Sequence, residues 1–461
     1  MNDSRTVGRS DGQGWTSAQV GRALGLDTHG DLEFVGIETD TRHLRPGTLF
    51  VALKGDRFDA HDFLAQAREK GATAAVVRRG TPPVAGLRFF VVGDTLQALG
   101  ALARARRRRM PPGAPVVAIT GSSGKTSTKE MIRAALGARW AEGVHATTGN
   151  LNNLVGVPLT ILAAPENTQA LVVEAGASIP GEIARLRDII EPTIAVITNV
   201  GYAHVEGFGS LDGVLREKVA LAERVPVAVV GTDPPSLAEE ARQRARTVVA
   251  GTGAGAEVRP EAIELDAEGR PVITWRRHRV VLPTLGMHQA ENAMIALATA
   301  VEAGVEPGPA VGALARTQLP GGRGKVVELG GLTVIDDTYN ANPASLRAAV
   351  ELAVWFAQRR GRPLVVVVGS MLELGGESAR LHAAAAAAIT AVHPALVGAV
   401  GAFAAAFEPH RQELGGEERL LTAPDAESLG PRLKAALRGN EIVLLKASRG
   451  VALERVLRYL G

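Results

Sequence analysis

The run Thr120-Gly121-Ser122-Ser123-Gly124-Lys125-Thr126-Ser127 follows an apolar stretch (116–120) and precedes a helical pattern (128–136). Glycines at such a junction let the backbone turn so that several N–H groups point at one anion. The helix N-terminus adds partial positive charge at the same point. Lys125 then suits the β- and γ-phosphates of a nucleotide, and the Thr126 hydroxyl suits a Mg²⁺ ion. Gly121, Ser122, Ser123, Gly124, Lys125, Thr126 and Ser127 are therefore candidate ATP contacts. The loop is shorter than the general phosphate-loop pattern, because Ile119 stands where its first glycine would fall. The plain alternative is a tight strand-to-helix turn with an incidental lysine.

Three more residues have types that could do chemistry. Glu174 closes the apolar run Leu171-Val172-Val173. A carboxylate at the carboxyl end of a parallel strand lies where α/β sheets bind ligands, and it can hold a hard cation. It can equally cap a turn. His204 follows the apolar run 194–198 and serves the fold as readily as chemistry. Lys218 lies in a helical pattern (211–223), where a lone lysine is ordinarily solvated.

The elements that must position these residues are legible as patterns. With 461 residues the chain is too long for one core. Aromatics are only 4% of it, so its cores must be aliphatic. A net charge of +3 argues against a protein whose main task is coating nucleic acid. There is no cysteine, which excludes disulfides, thiolate nucleophiles and cysteine-based zinc sites. The N-terminus is polar and lacks the apolar segment of a secretory signal. No stretch approaches the roughly 20 apolar residues of a membrane helix. Both features fit a cytoplasmic protein, and the first dozen residues read as disordered.

Residues 32–92 alternate short apolar runs (48–53, 74–77) with a helical segment (63–70), a small α/β unit. A helix over 95–110 follows and ends at Pro111-Pro112-Gly113. It carries Arg104 and Arg106 to Arg109, which read as a solvated helix face rather than a nucleic-acid patch. Continuous apolar runs at 116–120, 171–174 and 194–198 indicate parallel strands covered on both faces. A further α/β block from about 320 has strands near 334–335, 364–368, 396–400 and 442–445. The alanine run 383–388 is a helix.

Taken together these residues resemble the Mur ligases, over nearly the whole chain from about Val35. The segments Thr39-Asp40-Thr41-Arg42, Pro46 to Gly55 and Phe58 to Phe63 are similar to that family's UDP-sugar-binding domain. Thr148-Gly149-Asn150-Leu151-Asn152-Asn153 resembles a substrate-contact segment. Gly286-Met287-His288, leading to Asn292, resembles the stretch that approaches adenine. Gly322-Arg323 and the run Asp336 to Pro343 resemble the start of a third domain. Met371-Leu372-Glu373-Leu374-Gly375 resembles the branch that adds a dipeptide. Two positions depart from the pattern: Ser370 stands where aspartate is common, and Ala447 where glycine is usual.

The resemblance implies an α/β protein of three domains. These are a small N-terminal α/β substrate domain (1–93), a central parallel-sheet P-loop ATPase domain (94–318) and a C-terminal Rossmann-like domain (319–461) that closes on ATP and takes the incoming dipeptide. It implies that Asn292, Arg323 and Asp337 contact ATP, with Arg323 near the γ-phosphate and Asp337 near the ribose. It implies that Thr126, Glu174, His204 and Lys218, the last as a carbamate, hold Mg²⁺, and that Lys125, His204 and Lys218 are catalytic. Thr39, Asp40, Thr41, Arg42, His61, Asp62, Thr148, Asn150, Asn152 and Asn153 are the implied substrate contacts. The implied substrates are UDP-MurNAc-tripeptide and D-alanyl-D-alanine, used by a monomer with no nucleic-acid or membrane partner.

The chemistry calls for such groups. A carboxylate is a poor electrophile until phosphoryl transfer gives it a good leaving group, and that transfer brings anions together. Rival readings are weaker. The branch that adds the third amino acid carries Asp-Asn-Pro-Arg, absent here. A folylpolyglutamate synthase would lack the N-terminal UDP-type domain. A P-loop switch without ligase activity is the reading from another class.

Overall fold

The computed structural model describes residues 14–27, 30–55 and 58–461, and it is an α/β protein built on parallel sheets. The expectation of a disordered first dozen residues lies outside the described residues. Two compact units divide the described residues: those within 14–119, 140–176 and 181–195 form one, and those within 120–139, 177–180 and 196–461 the other.

In the first unit, strands Ile37–Glu38, Leu49–Val51, Ala74–Arg78 and Arg88–Val92 lie side by side in parallel. Leu49, Phe50 and Val51 are fully buried, as a strand covered on both faces requires. The expected helix at 63–70 is a short 3₁₀ turn, Ala60–Phe63, running into Leu64–Glu69. Asp94 caps the next helix, Thr95–Arg107, by accepting from the amides of Leu96 and Gln97. Beyond it, strand Val116–Thr120 pairs in parallel with Ala170–Glu174, which pairs with Val144–Ala146.

The arginine run is only in part the solvated face the sequence suggests: Arg104, Arg108 and Arg109 are exposed, whereas Arg106 and Arg107 turn inward. Arg106 is 2% exposed, and its guanidinium donates to the carbonyls of Ala164 and Pro165. Arg107 donates to the carbonyls of Ile190 and Glu191. Arg104 and Arg108 both reach the Glu191 carboxylate, at 2.7 and 2.5 Å. Their hydrogen bonds hold that carboxyl below its usual pKa, against the opposing effect of burial. Arg109 pairs with Glu166 and stacks over Trp15. The run is an intramolecular clamp.

In the second unit, helix Lys125–Trp140 begins three residues earlier than the sequence pattern suggests. Strands Ile194–Ile197, Val227–Val230 and Arg246–Val249 adjoin in sequence order. An antiparallel meander, Ala262–Leu265, Pro271–Trp275 and His278–Val281, follows. The last sheet has the order Lys325–Leu329, Leu332–Asp337, Ile442–Lys446, Leu364–Val368, Leu396–Val400, Leu420–Ala423. Only its first pair is antiparallel. Val366 and Val368 point into one apolar cluster with Leu346, Ala353 and Phe356, whereas Val365 and Val367 point into another with Leu429 and Leu433. Residues of one strand thus alternate between two helix-covered faces, the doubly wound arrangement expected of a Rossmann-like block.

Because buried Arg106 donates to two carbonyls, one of them buried, Arg106→Ala should destabilise the protein by about 2 kcal/mol. Arg108→Ala, with a largely exposed side chain, should cost under about 1 kcal/mol. Urea titration of both variants checks this; equal losses would contradict the distinction.

Candidate functional site

The phosphate loop is held by its neighbours before any ligand arrives. Gly121 (φ +144°) has no room for a Cβ, which would overlap the Thr198 hydroxyl. Gly124 (φ +77°) lies in left-handed backbone, and a Cβ there would come within 2.5 Å of Asn292 Oδ1. Thr198 donates from its hydroxyl to the Ser123 carbonyl at 2.6 Å. Ser123 donates its amide to Asn199 Oδ1 at 2.9 Å, and Ser122 donates its amide to the Asn199 carbonyl at 3.0 Å. Lys125 begins the helix and bends back to donate to the Gly121 carbonyl at 2.7 Å. Its ammonium therefore sits over the loop itself. Thr126 and Ser127, in the first turn, are both buried.

Two asparagines tie this loop to later elements. Asn292, buried in helix His288–Glu302, accepts from the Thr128 hydroxyl at 3.2 Å and donates to Gln289 Oε1 at 3.0 Å. Asn342 caps helix Pro343–Arg360 and donates from Nδ2 to the Ser122 carbonyl at 3.3 Å. Asn292 was legible as a candidate; Asn342 lay within the run Asp336 to Pro343, and nothing in the residue type marked either it or Asn199.

The expected third-domain contacts occupy distinct settings. Arg323 stacks on the Tyr339 ring at 4.1 Å, and its Nε is buried with no hydrogen-bond partner among the described residues. Such a group suits an incoming anion. Asp337 ends its strand paired at 2.7 Å with Lys446, which is 2% exposed and also donates to the Asn340 carbonyl. Lys446 is a partner the sequence did not single out.

His204 precedes the short helix Val205–Phe208 with φ 57°, and its Nδ1 is 2.6 Å from Glu373 Oε2. Lys218, expected from its helix alone to be solvated, is 1% exposed, with Nζ 5.3 Å from the Phe208 ring centre. Burial of a lysine is uncommon and fits a special role for it.

In the first unit, Glu174 is buried and accepts from Asn152 Nδ2 at 3.0 Å. Its amide donates to the Thr147 hydroxyl. Asn153 accepts from the amides of Val155 and Gly156, starting helix Gly156–Leu162. Thr148 and Asn150 are exposed in the same loop. Asp40 binds Arg42 through both carboxylate oxygens, which lowers its pKa to about 2. Thr41 donates to Gln66 Oε1. His61 is committed within the fold: Nδ1 lies 2.6 Å from Asp59, and Nε2 accepts from the Arg78 amide. Asp62 lines a cavity of about 470 Å³ with His61, Arg78, Arg79 and Thr81.

No three His, Asp or Glu side chains among the described residues gather closely enough to chelate an ion unaided. Mg²⁺ asks for less: one or two protein ligands, with waters and phosphate oxygens completing the shell. By type, the hydroxyl of Thr126 and the imidazole of His204 in one unit, and the carboxylate of Glu174 in the other, are ligands of that kind.

An apolar strand, a two-glycine turn and a helix N-terminus define a P-loop nucleotide-binding α/β protein. The Mur ligase family catalytic domain matches residues 33–107, the Mur ligase middle domain residues 119–300, and the Mur ligase glutamate ligase domain residues 322–449. The UDP-N-acetylmuramoyl-tripeptide–D-alanyl-D-alanine ligase of Bacillus subtilis is 36% identical over 92% of this chain and 93% of its own. A crystal structure of MurF from Acinetobacter baumannii superposes with a TM-score of 0.86 at 32% identity, covering 97% of this chain and 99% of that one. MurF ligase from Thermotoga maritima, solved in complex with ADP, superposes at 0.79 with 30% identity, covering 92% and 96%. The chain belongs to the Mur ligase family, as the residue patterns indicated.

Gly124→Ala should weaken ADP binding at least about 10-fold, since the methyl group both strains the backbone and displaces Asn292. Calorimetric titration with ADP measures it; unchanged affinity would remove the steric account of the loop.

Proposed function

We propose that this chain is an ATP-dependent amide ligase that joins D-alanyl-D-alanine to UDP-N-acetylmuramoyl-tripeptide, giving UDP-MurNAc-pentapeptide for peptidoglycan synthesis. The observation that carries this reading is likeness along almost the full length to ligases bearing that name. The preformed phosphate loop supports it.

The chemistry proceeds in two displacements. An oxygen of the tripeptide's terminal carboxylate attacks the γ-phosphorus of ATP, ADP departs, and an acyl phosphate forms. The neutral amine of D-alanyl-D-alanine then attacks the acyl carbon. Phosphate leaves with the former carboxylate oxygen, and the amine gives its proton to solvent. The loop amides and Lys125 bind the nucleotide phosphates. Arg323 meets the γ-phosphate, Asp337 the ribose, and Asn292 helps hold ATP. Thr126, Glu174, His204 and a carbamate on Lys218 are the ligands proposed for Mg²⁺, which when bound offsets the charge on the phosphates. Thr39, Asp40, Thr41, Arg42, His61, Asp62, Thr148, Asn150, Asn152 and Asn153 belong to the UDP-substrate regions. Of these, His61 and Asn153 act by shaping the backbone, since their polar atoms bond within the fold.

Three working domains, with limits near 93 and 318, follow from the same resemblance, as do a monomeric state and a cytoplasmic location. No helix among the described residues is long and apolar enough to cross a membrane.

Phosphate release and amide formation should require ATP, UDP-MurNAc-tripeptide and D-alanyl-D-alanine together. The assay is run with each tripeptide and a panel of amino acids and dipeptides. Turnover with a single amino acid but not with the dipeptide would reassign the chain to another branch. ATP hydrolysis indifferent to both substrates would remove the ligase reading.

A further inference from the structure

We propose that Glu373 is a positioning residue for His204. On this view its carboxylate sets the tautomer and ring orientation with which the histidine meets a divalent ion. The inference rests on the metal role proposed above for His204.

The two groups are close, with Glu373 Oε2 2.6 Å from His204 Nδ1, an ion-pair separation in which the oxygen lies off the line of a hydrogen bond. Both residues are held in left-handed backbone, His204 at φ 57° and Glu373 at φ 62°. Side-chain-bearing residues rarely adopt that conformation, and it persists where surrounding structure enforces it, often at functional sites. Here the enforcement is visible. The Met371 amide donates to Nε2 of His382 at 2.9 Å, and the Leu372 amide donates to the Ser448 hydroxyl at 2.9 Å. His382 is 1% exposed, and its Nδ1 lies 2.7 Å from the Ser378 carbonyl. Because Nε2 accepts, the proton sits on Nδ1 and this histidine is neutral. Burial, opposed by the Ser378 bond, keeps its pKa below the usual value. Met371 and Leu374 are each 2% exposed. The turn is thus anchored on both sides of a glutamate whose own side chain is 55% exposed.

The partner segment is gripped as well. The Glu206 amide donates to the Glu373 carbonyl at 3.2 Å. A Cβ on Gly375 would lie 3.1 Å from Glu206 Cα. Arg380 donates to the Tyr202 hydroxyl at 3.3 Å and lies over its ring. Three contacts around Tyr202, His204 and Glu206 therefore fix one approach of the 371–380 segment.

A carboxylate on one ring nitrogen of a metal-binding histidine places the proton there, leaves the lone pair on the other nitrogen, and makes that nitrogen a better donor. Glu373 is placed to do this to His204: a turn of the imidazole that brings Nδ1–H onto the carboxylate beside it makes Nδ1 the protonated side and Nε2 the donor. Since Glu373 lies in the part matched by the Mur ligase glutamate ligase domain and His204 in the middle-domain part, docking of the 371–380 segment and completion of the ligand become one event.

The test is Mn²⁺ titration, read by electron paramagnetic resonance, into the full chain holding a non-hydrolysable ATP analogue. Glu373→Ala should weaken Mn²⁺ binding about 10- to 100-fold, the usual effect of removing a partner of a metal-binding histidine. Glu373→Gln, whose amide oxygen still accepts from Nδ1–H, should recover part of the loss. The thermal midpoint should stay at the parent value in both. In a His204→Ala background, Glu373→Ala should add nothing. Two results would overturn the inference while leaving the metal role of His204 standing. One is full Mn²⁺ affinity in Glu373→Ala when His204→Ala is impaired. The other is an equal further loss in the double variant. Unchanged affinity in His204→Ala would instead remove the metal role itself, and this inference with it.

Discussion

A turn that gathers backbone amides against a helix N-terminus has no space for side chains at its tightest points. That steric constraint governs the middle of this protein. Gly121 faces the Thr198 hydroxyl and Gly124 faces Asn292, each too close for a methyl group. The crowding is useful, because the same neighbours hold the loop by hydrogen bonds from Thr198 and to Asn199. A loop organised in this way loses little freedom when an anion binds, so more of the interaction is available for affinity. Lys125, folded back on the Gly121 carbonyl, keeps its charge at the point where phosphate would lie.

The constraint extends outward through short polar links. Asn292 joins the loop's helix to a helix that is buried along most of its length. Asn342 reaches the Ser122 carbonyl from the cap of another helix. At 201–208 the contacts from Glu373 and Arg380 do the corresponding work. Nucleotide loop, histidine and C-terminal sheet are therefore coupled by a few directional bonds. Few bonds are easily made and broken, as an enzyme that must admit and release large substrates requires.

Much of this was legible in the sequence, and the remainder was hidden for physical reasons. The strand 364–368 announced itself as an unbroken valine run because both its faces are buried. The phosphate loop was visible because strand, glycines, lysine and helix come in fixed order. The arginines at 104–109 have nearly one side-chain chemistry and very different fates. Whether a guanidinium is solvated or is buried and spans two carbonyls depends on residues some 60 positions away. The meander at 262–281 was missed because its tight turn uses Arg276 and Arg277, both with positive φ, where Asn-Gly would ordinarily signal a hairpin. Glu373 stood in a quoted motif, but its partner is 169 positions earlier, at His204, and no local pattern records such a pairing.

The central claim is that ATP makes an unreactive acid attackable by phosphorylating it. Acceptor tripeptide labelled with ¹⁸O in its terminal carboxylate puts this to the most direct test, with mass analysis of the products after one turnover. Activation through an acyl phosphate requires that the inorganic phosphate carry one labelled oxygen from the acceptor while ADP stays unlabelled. Phosphate without label, formed alongside the new amide, would contradict the account.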